Sequence, residues 1–117
     1  MPSLSLRIKL DPKGGKPVRI GRGKVELLEH IAAQGSISAA ARKMDMSYKR
    51  AWDLVEEMKQ LFGKPAVETQ AGGQRGGGAQ LTPLGLAIIS HYRAIEQAAN
   101  LAAGQHIKAL QAEIDPA

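Results

Sequence analysis

The stretch GSISAAARKMDMSYKRAWDLVEEM, residues 35–58, decides the fold. Gly35 stops the helical run before it, and Ser36 is a good N-cap for a short helix over ISAAARKM. Asp45 and Met46 interrupt that helix, and Ser47 caps another that runs to about Phe62. So short a connection forces a tight corner between the helices, which is the helix-turn-helix arrangement. The helix after Ser47 has the most regular pattern in the chain. Ala51, Leu54, Val55, Met58, Leu61 and Phe62 form one apolar stripe. At about 100° per residue, Lys49, Asp53, Glu56 and Gln60 fall opposite it, Arg50 and Trp52 flank it, and Tyr48 lies near its border. The cations occupy the first turn, while Glu56 and Glu57 follow later. Phosphates are drawn to the N-terminal end, where the helix dipole is also positive, and repelled further along.

On the N-terminal side, LSLRIKL (4–10) alternates Leu4, Leu6, Ile8 and Leu10 with Ser5, Arg7 and Lys9, the pattern of a half-buried strand. DPKGGKP (11–17) is turn chemistry, and VRI (18–20) returns as a partner strand. KVELLEHIAAQ then reads as a helix with Lys24's stem, Leu27, Leu28, Ile31 and Ala32 inward. On the C-terminal side, AVETQ (66–70) and AQL (79–81) are strands of a hairpin whose glycine-rich tip carries Gln74 and Arg75. Thr82 caps and Pro83 opens a long last helix. Its stripe of Leu84, Ile88, Tyr92, Ile95, Ala99 and Ala102 suits packing along another helix, and Gly104 is expected to weaken or break it.

Charge divides the chain. Residues 1–50 carry eleven Lys/Arg against four acids, while residues 51–117 carry five against seven. A basic half joined to a slightly acidic half suggests a polyanion-facing surface and a separate surface for another contact. Several function classes fall away. No cysteine means no disulfide or thiolate metal site. His30, His91 and His106 sit on different segments without ligand spacing, so no metal is expected. The glycine loop lacks the phosphate-loop spacing, Glu26 stands where the third glycine of a dinucleotide fingerprint belongs, and no catalytic set is suggested, so neither cofactor nor enzyme activity is expected. The N-terminus is not patterned as a signal peptide, and no apolar run spans a bilayer. A cytoplasmic protein with no membrane partner is the expectation.

Residues 20 to about 95 resemble the N-terminal DNA-binding domain of the molybdate-responsive ModE regulators, itself similar to the winged helix-turn-helix of LysR-type regulators. Three motifs carry the resemblance: G-S-I-S-x-A-A at Gly35 to Ala41, S-Y-K-x-A-W-D at Ser47 to Asp53, and G-G-x-x-G-G-G-A-x-L-T-x-x-G at Gly72 to Gly85. The strands at 4–20 are similar to that family's N-terminal strands. The resemblance implies a winged fold, a long helix from Pro83 that pairs two subunits, sequence-specific DNA binding as a dimer, and a link to molybdenum metabolism. Two departures stand out. Residues 104–117 leave no room for an oxyanion-binding domain, so no molybdate pocket is expected in this chain and any small-molecule effector is unknown. Asp45 and Met46 also fill a turn where glycine is common, although Asp tolerates the left-handed conformation.

The fold class expected is therefore mainly α with small β. Residues 1–82 form a winged helix-turn-helix DNA-binding domain with an N-terminal β-hairpin, and residues 83–117 form a dimerisation helix and tail. The functional expectation is a transcriptional regulator that binds double-stranded DNA as a homodimer. Ser47, Tyr48, Lys49 and Arg50 present donors to the major groove and its phosphates; Ser36 and Ser38 bond backbone phosphate; Gln74 and Arg75 reach the adjacent groove. Trp52 is open between closing the core and leaning toward a base or sugar. The dimer contact is assigned to Leu84, Ile88, Tyr92, Ile95, Ala99 and Ala102. Two rivals remain: a protein-interaction module working through the long helix, and a sensor holding a small oxyanion between subunits against the cationic N-terminal hairpin.

Overall fold

The structure, a computed structural model, describes residues 2–70 and 78–115. The order is β1 (Arg7–Leu10), β2 (Val18–Gly21), α1 (Arg22–Gln34), α2 (Ile37–Lys43), α3 (Tyr48–Phe62), β3 (Val67–Gln70), β4 (Gly78–Leu81) and α4 (Pro83–Ala112). Mainly helical content with two small antiparallel hairpins, β1–β2 and β3–β4, is the architecture expected of a winged helix-turn-helix.

Local chemistry sets the helix ends. Ser36, Ser47 and Thr82 each accept a hydrogen bond from a first-turn N–H of α2, α3 and α4. Gly35 and Gly63 close α1 and α3 in the left-handed region, at φ 69° and 73°. Asp45 takes φ 57° in the corner between α2 and α3, which is how the turn manages without glycine. Met46 N–H closes that corner on Ala41 O at 3.0 Å.

The core lies under the three-helix unit. Val25, Leu27, Leu28 and Ile31 of α1 meet Ala40 and Ala41 of α2 and Ala51, Val55 and Met58 of α3, all buried. Full burial of each large aliphatic side chain contributes about 1.5–3 kcal/mol. The expected inward face of α1 needs correcting. Val25 is buried and Ala32 exposed, while Lys24, its side chain largely covered, ion-pairs with Glu57 of α3 and donates to Arg19 O at 2.6 Å. Val25 stands three residues before Leu28 and so shares its helix face.

Helix α4 also departs from expectation, in two ways. It runs unbroken through Gly104, where added bulk would meet only open space. One interior glycine costs about 1 kcal/mol relative to alanine, too little to end a helix of 30 residues. Its apolar stripe, moreover, is divided. Ile88 and Tyr92, expected at a subunit contact, are buried in this subunit's own core. The N-terminal segment claims them: Tyr92 Oη donates to Leu6 O at 2.7 Å, and one turn pair further on Asn100 Nδ2 donates to Leu4 O while its Oδ1 accepts from Leu4 N–H at 2.8 Å. Ile95 and Ala102 remain exposed, and Leu84 and Ala99 half-buried.

Candidate nucleic-acid interface

The corner between α2 and α3 is closed by the Met46–Ala41 hydrogen bond and the Ser47 cap, and it presents the first turn of α3 outward. Ser47 Oγ accepts from Arg50 N–H at 3.0 Å, which leaves its hydroxyl hydrogen available to an outside acceptor. Tyr48 is 55% exposed and Trp52 37%, unusual for aromatic rings in a chain with so few. Trp52 thus lies at the boundary between its two readings, with part of the ring packed and part in water.

The two cations of this turn differ. Lys49 Nζ is paired with Asp53 Oδ2 at 2.9 Å, one helical turn on. Both side chains are largely exposed, at 84% and 54%, so the pair is worth only about 0.3–0.5 kcal/mol and yields readily to a phosphate or base. No ion pair to Arg50 is found among the described residues. The Lys49–Asp53 pairing follows from a spacing of four, a signal the sequence contains.

Around this tip, the wing is fastened at its base. Ala79 N–H of β4 donates to Gly35 O at 2.8 Å, so the second hairpin begins beside the N-terminus of α2. There Ser36 Oγ accepts from Ala39 N–H and lies 3.1 Å from Ser38 Oγ. The two hydroxyls form a small donor pair near the wing, and Ser38 and Ser36 are both half-buried. Gln74 and Arg75, expected at the wing tip, lie outside the described residues. The other end of the wing is held by Thr82, whose Oγ1 donates to Pro65 O at 2.8 Å and accepts from Gly85 N–H.

An electrostatic tie fixes α4 to α1 behind this surface. Arg93 grips Glu29 through Nη2 and Nε, at 2.7 and 3.1 Å, and Glu96 through Nη1 at 2.8 Å. The guanidinium hydrogen bonds hold the Glu29 carboxyl below the ordinary carboxylate value and raise that of Arg93. Burial raises the Tyr92 phenol. Among the described residues, no group of His, Cys, Asp and Glu could hold a metal ion, and no helix is long and apolar enough to cross a membrane.

Comparison with known proteins bears on this geometry directly. MopB of Rhodobacter capsulatus, a molybdenum-pterin-binding protein, is 51% identical over 78 residues, which span 67% of this chain and 29% of that protein. ModE of Escherichia coli K12, a DNA-binding transcriptional dual regulator, is 46% identical over 74 residues, or 63% of this chain and 28% of that one. The chain thus spans about a third of the length of the curated relatives it matches. Among solved structures, the CbnR DBD–DNA complex shares the fold with a TM-score of 0.58 at 20% identity, over 75% of this chain and 95% of that one. The model of the bacterial regulatory helix-turn-helix proteins of the lysR family matches residues 23–86, which hold the capped corner, the exposed first turn of α3 and both wing strands. This is more than half of the sequence, and the chain belongs to that family.

Proposed function

We propose that this chain binds double-stranded DNA as a homodimer and acts as a transcriptional regulator in the cytoplasm, a binding protein and not an enzyme. The observation that carries the reading is the exposed, cation-bearing first turn of α3, held on a hydroxyl-capped corner. Such a turn enters a major groove end-on, where Lys49, Arg50, Ser47 and Tyr48 meet base edges and bordering phosphates. Ser36 and Ser38 bond the backbone, Gln74 and Arg75 reach from the wing, and Trp52 stacks its exposed edge on a sugar or base. The names of the relatives MopB and ModE support a role connected with molybdenum.

Two subunits pair through residues 83–117. Leu84 and Ile95 border an open apolar groove of about 200 Å³ with Ile8, Leu10 and Phe62, and Leu86, Leu101 and Leu110 further exposed on α4 extend the apolar surface. Ala99 and Ala102 allow close approach of a second helix, whereas Ile88 and Tyr92 support the contact from beneath. The test is selection of binding sites from random duplexes, with sedimentation to establish the dimer. Lys49→Ala together with Arg50→Ala is expected to reduce affinity for the selected site at least about 30-fold, from two contacts at about 1–3 kcal/mol each, with helix content unchanged. Unaltered affinity in that double variant overturns the reading.

A further inference from the structure

The family match starts at residue 23, so the first hairpin lies outside it. Its register is nonetheless informative. Ile8 pairs with Ile20 and Leu10 with Val18 on the face that meets the core, while Lys9 stands directly opposite Arg19 on the other face. Arg7, two residues before Lys9, shares that outer face. Like charges facing one another across a ladder are destabilising. All three side chains are exposed, and no acidic group pairs with any of them among the described residues. A two-stranded ribbon whose outer face carries three cations suits a partner that is anionic and extended.

The ribbon does not end in open solvent. Arg7 and Arg19 line an open groove of about 420 Å³ together with Arg22 and Lys24 of α1 and Arg50 of α3. Two of these cations are committed within the subunit, Lys24 to Glu57 and Arg22 to Glu96. Arg7, Arg19 and Arg50 have no ion pair among the described residues. Arg50 belongs at once to this groove and to the first turn of α3, so the positive surface continues from the helix tip onto the hairpin. A second cluster of cations, Lys13 and Lys16, follows in the turn that joins the strands.

We infer that the N-terminal hairpin is a second DNA-binding element, which carries the sugar-phosphate backbone from the tip of α3 along Arg50, Arg19, Arg7 and Lys9 and so lengthens the footprint beyond the half-site. The inference rests on the DNA-binding reading of α3 and adds a surface that contributes affinity without base discrimination. Phosphate contacts position a protein, whereas base contacts specify its site. The occupant is duplex backbone in preference to a single small oxyanion, because the cations are strung along a ribbon and into a groove and do not converge on one point.

The hairpin and the helix tip are separable by experiment. Three versions of the full chain are compared on a random duplex and on the selected site between 50 and 200 mM salt: unmodified, Arg7→Ala/Lys9→Ala/Arg19→Ala, and Lys49→Ala/Arg50→Ala. The hairpin variant is expected to bind every duplex more weakly and to flatten the salt slope by about 2 to 3 per subunit, with its ranking of sites unchanged. The unmodified chain is expected to lose affinity as the duplex is trimmed on the flanks of the selected site, a readout that needs no variant to fold. Normal slope and affinity in the hairpin variant, beside a defect in the Lys49/Arg50 variant, overturns the hairpin inference and leaves the α3 reading standing. Failure of the unmodified chain to bind any duplex overturns both. Calorimetry with inorganic phosphate and molybdate is the last arm: heat abolished by the hairpin substitutions, with DNA binding intact, makes the groove a small-anion site and overturns the inference.

Discussion

The two hairpins have the same backbone plan and different outer faces. Each pairs four residues with four, antiparallel. In the second, Val67 faces Leu81 inside, and the outer pairs are mixed, with Glu68 opposite Gln80. In the first, the inner pair is Ile8 with Ile20 and the outer pair is Lys9 with Arg19. Inner faces are alike because both must cover the same kind of core. Outer faces differ because covering the core does not constrain them. The hairpins also differ in how they are seated. The second is clamped by neutral groups a short way along the chain, Thr82 and Gly85 against Pro65 and Ala66. The first is held through the residues just before β1, Leu6 and Leu4, which bond the side chains of Tyr92 and Asn100, 86 and 96 residues away.

The tighter seat is the easier to break. A Cβ on Gly85 would stand 2.3 Å from Ala66 O, a backbone atom that cannot move aside without lifting β3 from α4. Gly85→Ala is therefore expected to destabilise the protein by about 3 kcal/mol, the upper end for overpacking, with the second hairpin moved most. Urea unfolding measures it. A loss within 0.5 kcal/mol of zero, the range of ordinary surface changes, would mean that the wing is not held by this close approach.

A milder change probes the first hairpin. Tyr92→Phe keeps the ring in the core and removes only the hydroxyl that donates to Leu6 O. Leu6 is half-buried, so water can partly replace the lost partner, and the expected cost is about 1 kcal/mol. Amide exchange should quicken in β1 and β2 and stay unchanged in β3 and β4. Uniform quickening in both hairpins would show that they share one support, against the separate seats described above.

These two seats also explain what was legible in the sequence. Caps, corners and stripes act within four or five residues, and the α2–α3 corner, its Asp45 turn, both hairpins and the exposed tip of α3 were readable from such signals. Alternation placed Leu4, Leu6, Ile8 and Leu10 inward without knowledge of what lay beneath. What lay beneath was not legible. Tyr92 and Asn100 reach the N-terminal segment over most of the chain's length, and no local pattern marks a ring or an amide for a distant carbonyl. The stripe on α4 was consequently assigned whole to a second subunit, although one edge of it serves the first. Lys24's stem does turn inward, but its partner Glu57 lies on another helix and no local pattern marks that pairing. The continuity of Arg7 and Arg19 with Arg50 is likewise a property of three elements together.

Acid gives the smallest effect and separates the two seats most cleanly. Hydrogen bonds from the Arg93 guanidinium hold the Glu29 carboxyl below its ordinary value of 4.5. A carboxylate with a depressed folded-state value contributes fully above its unfolded value, and that contribution disappears as pH falls through the depressed one. Stability should thus be level above about pH 4.5 and decline below it, and Glu29→Gln should remove that part of the decline. Both partners keep about a third of their side-chain surface in water, so solvent screening limits the loss to below about 1 kcal/mol. The tie joins α1 to α4, the platform of the first hairpin, whereas Thr82, Pro65, Ala66 and Gly85 offer nothing to titrate. Amide exchange at pH 3.5 to 5 should accordingly loosen β1 and β2 before β3 and β4, in a window centred below 4.5. Simultaneous loosening of both hairpins, or an unchanged acid limb in Glu29→Gln, would place the acid-sensitive contact somewhere other than the Arg93–Glu29 pair.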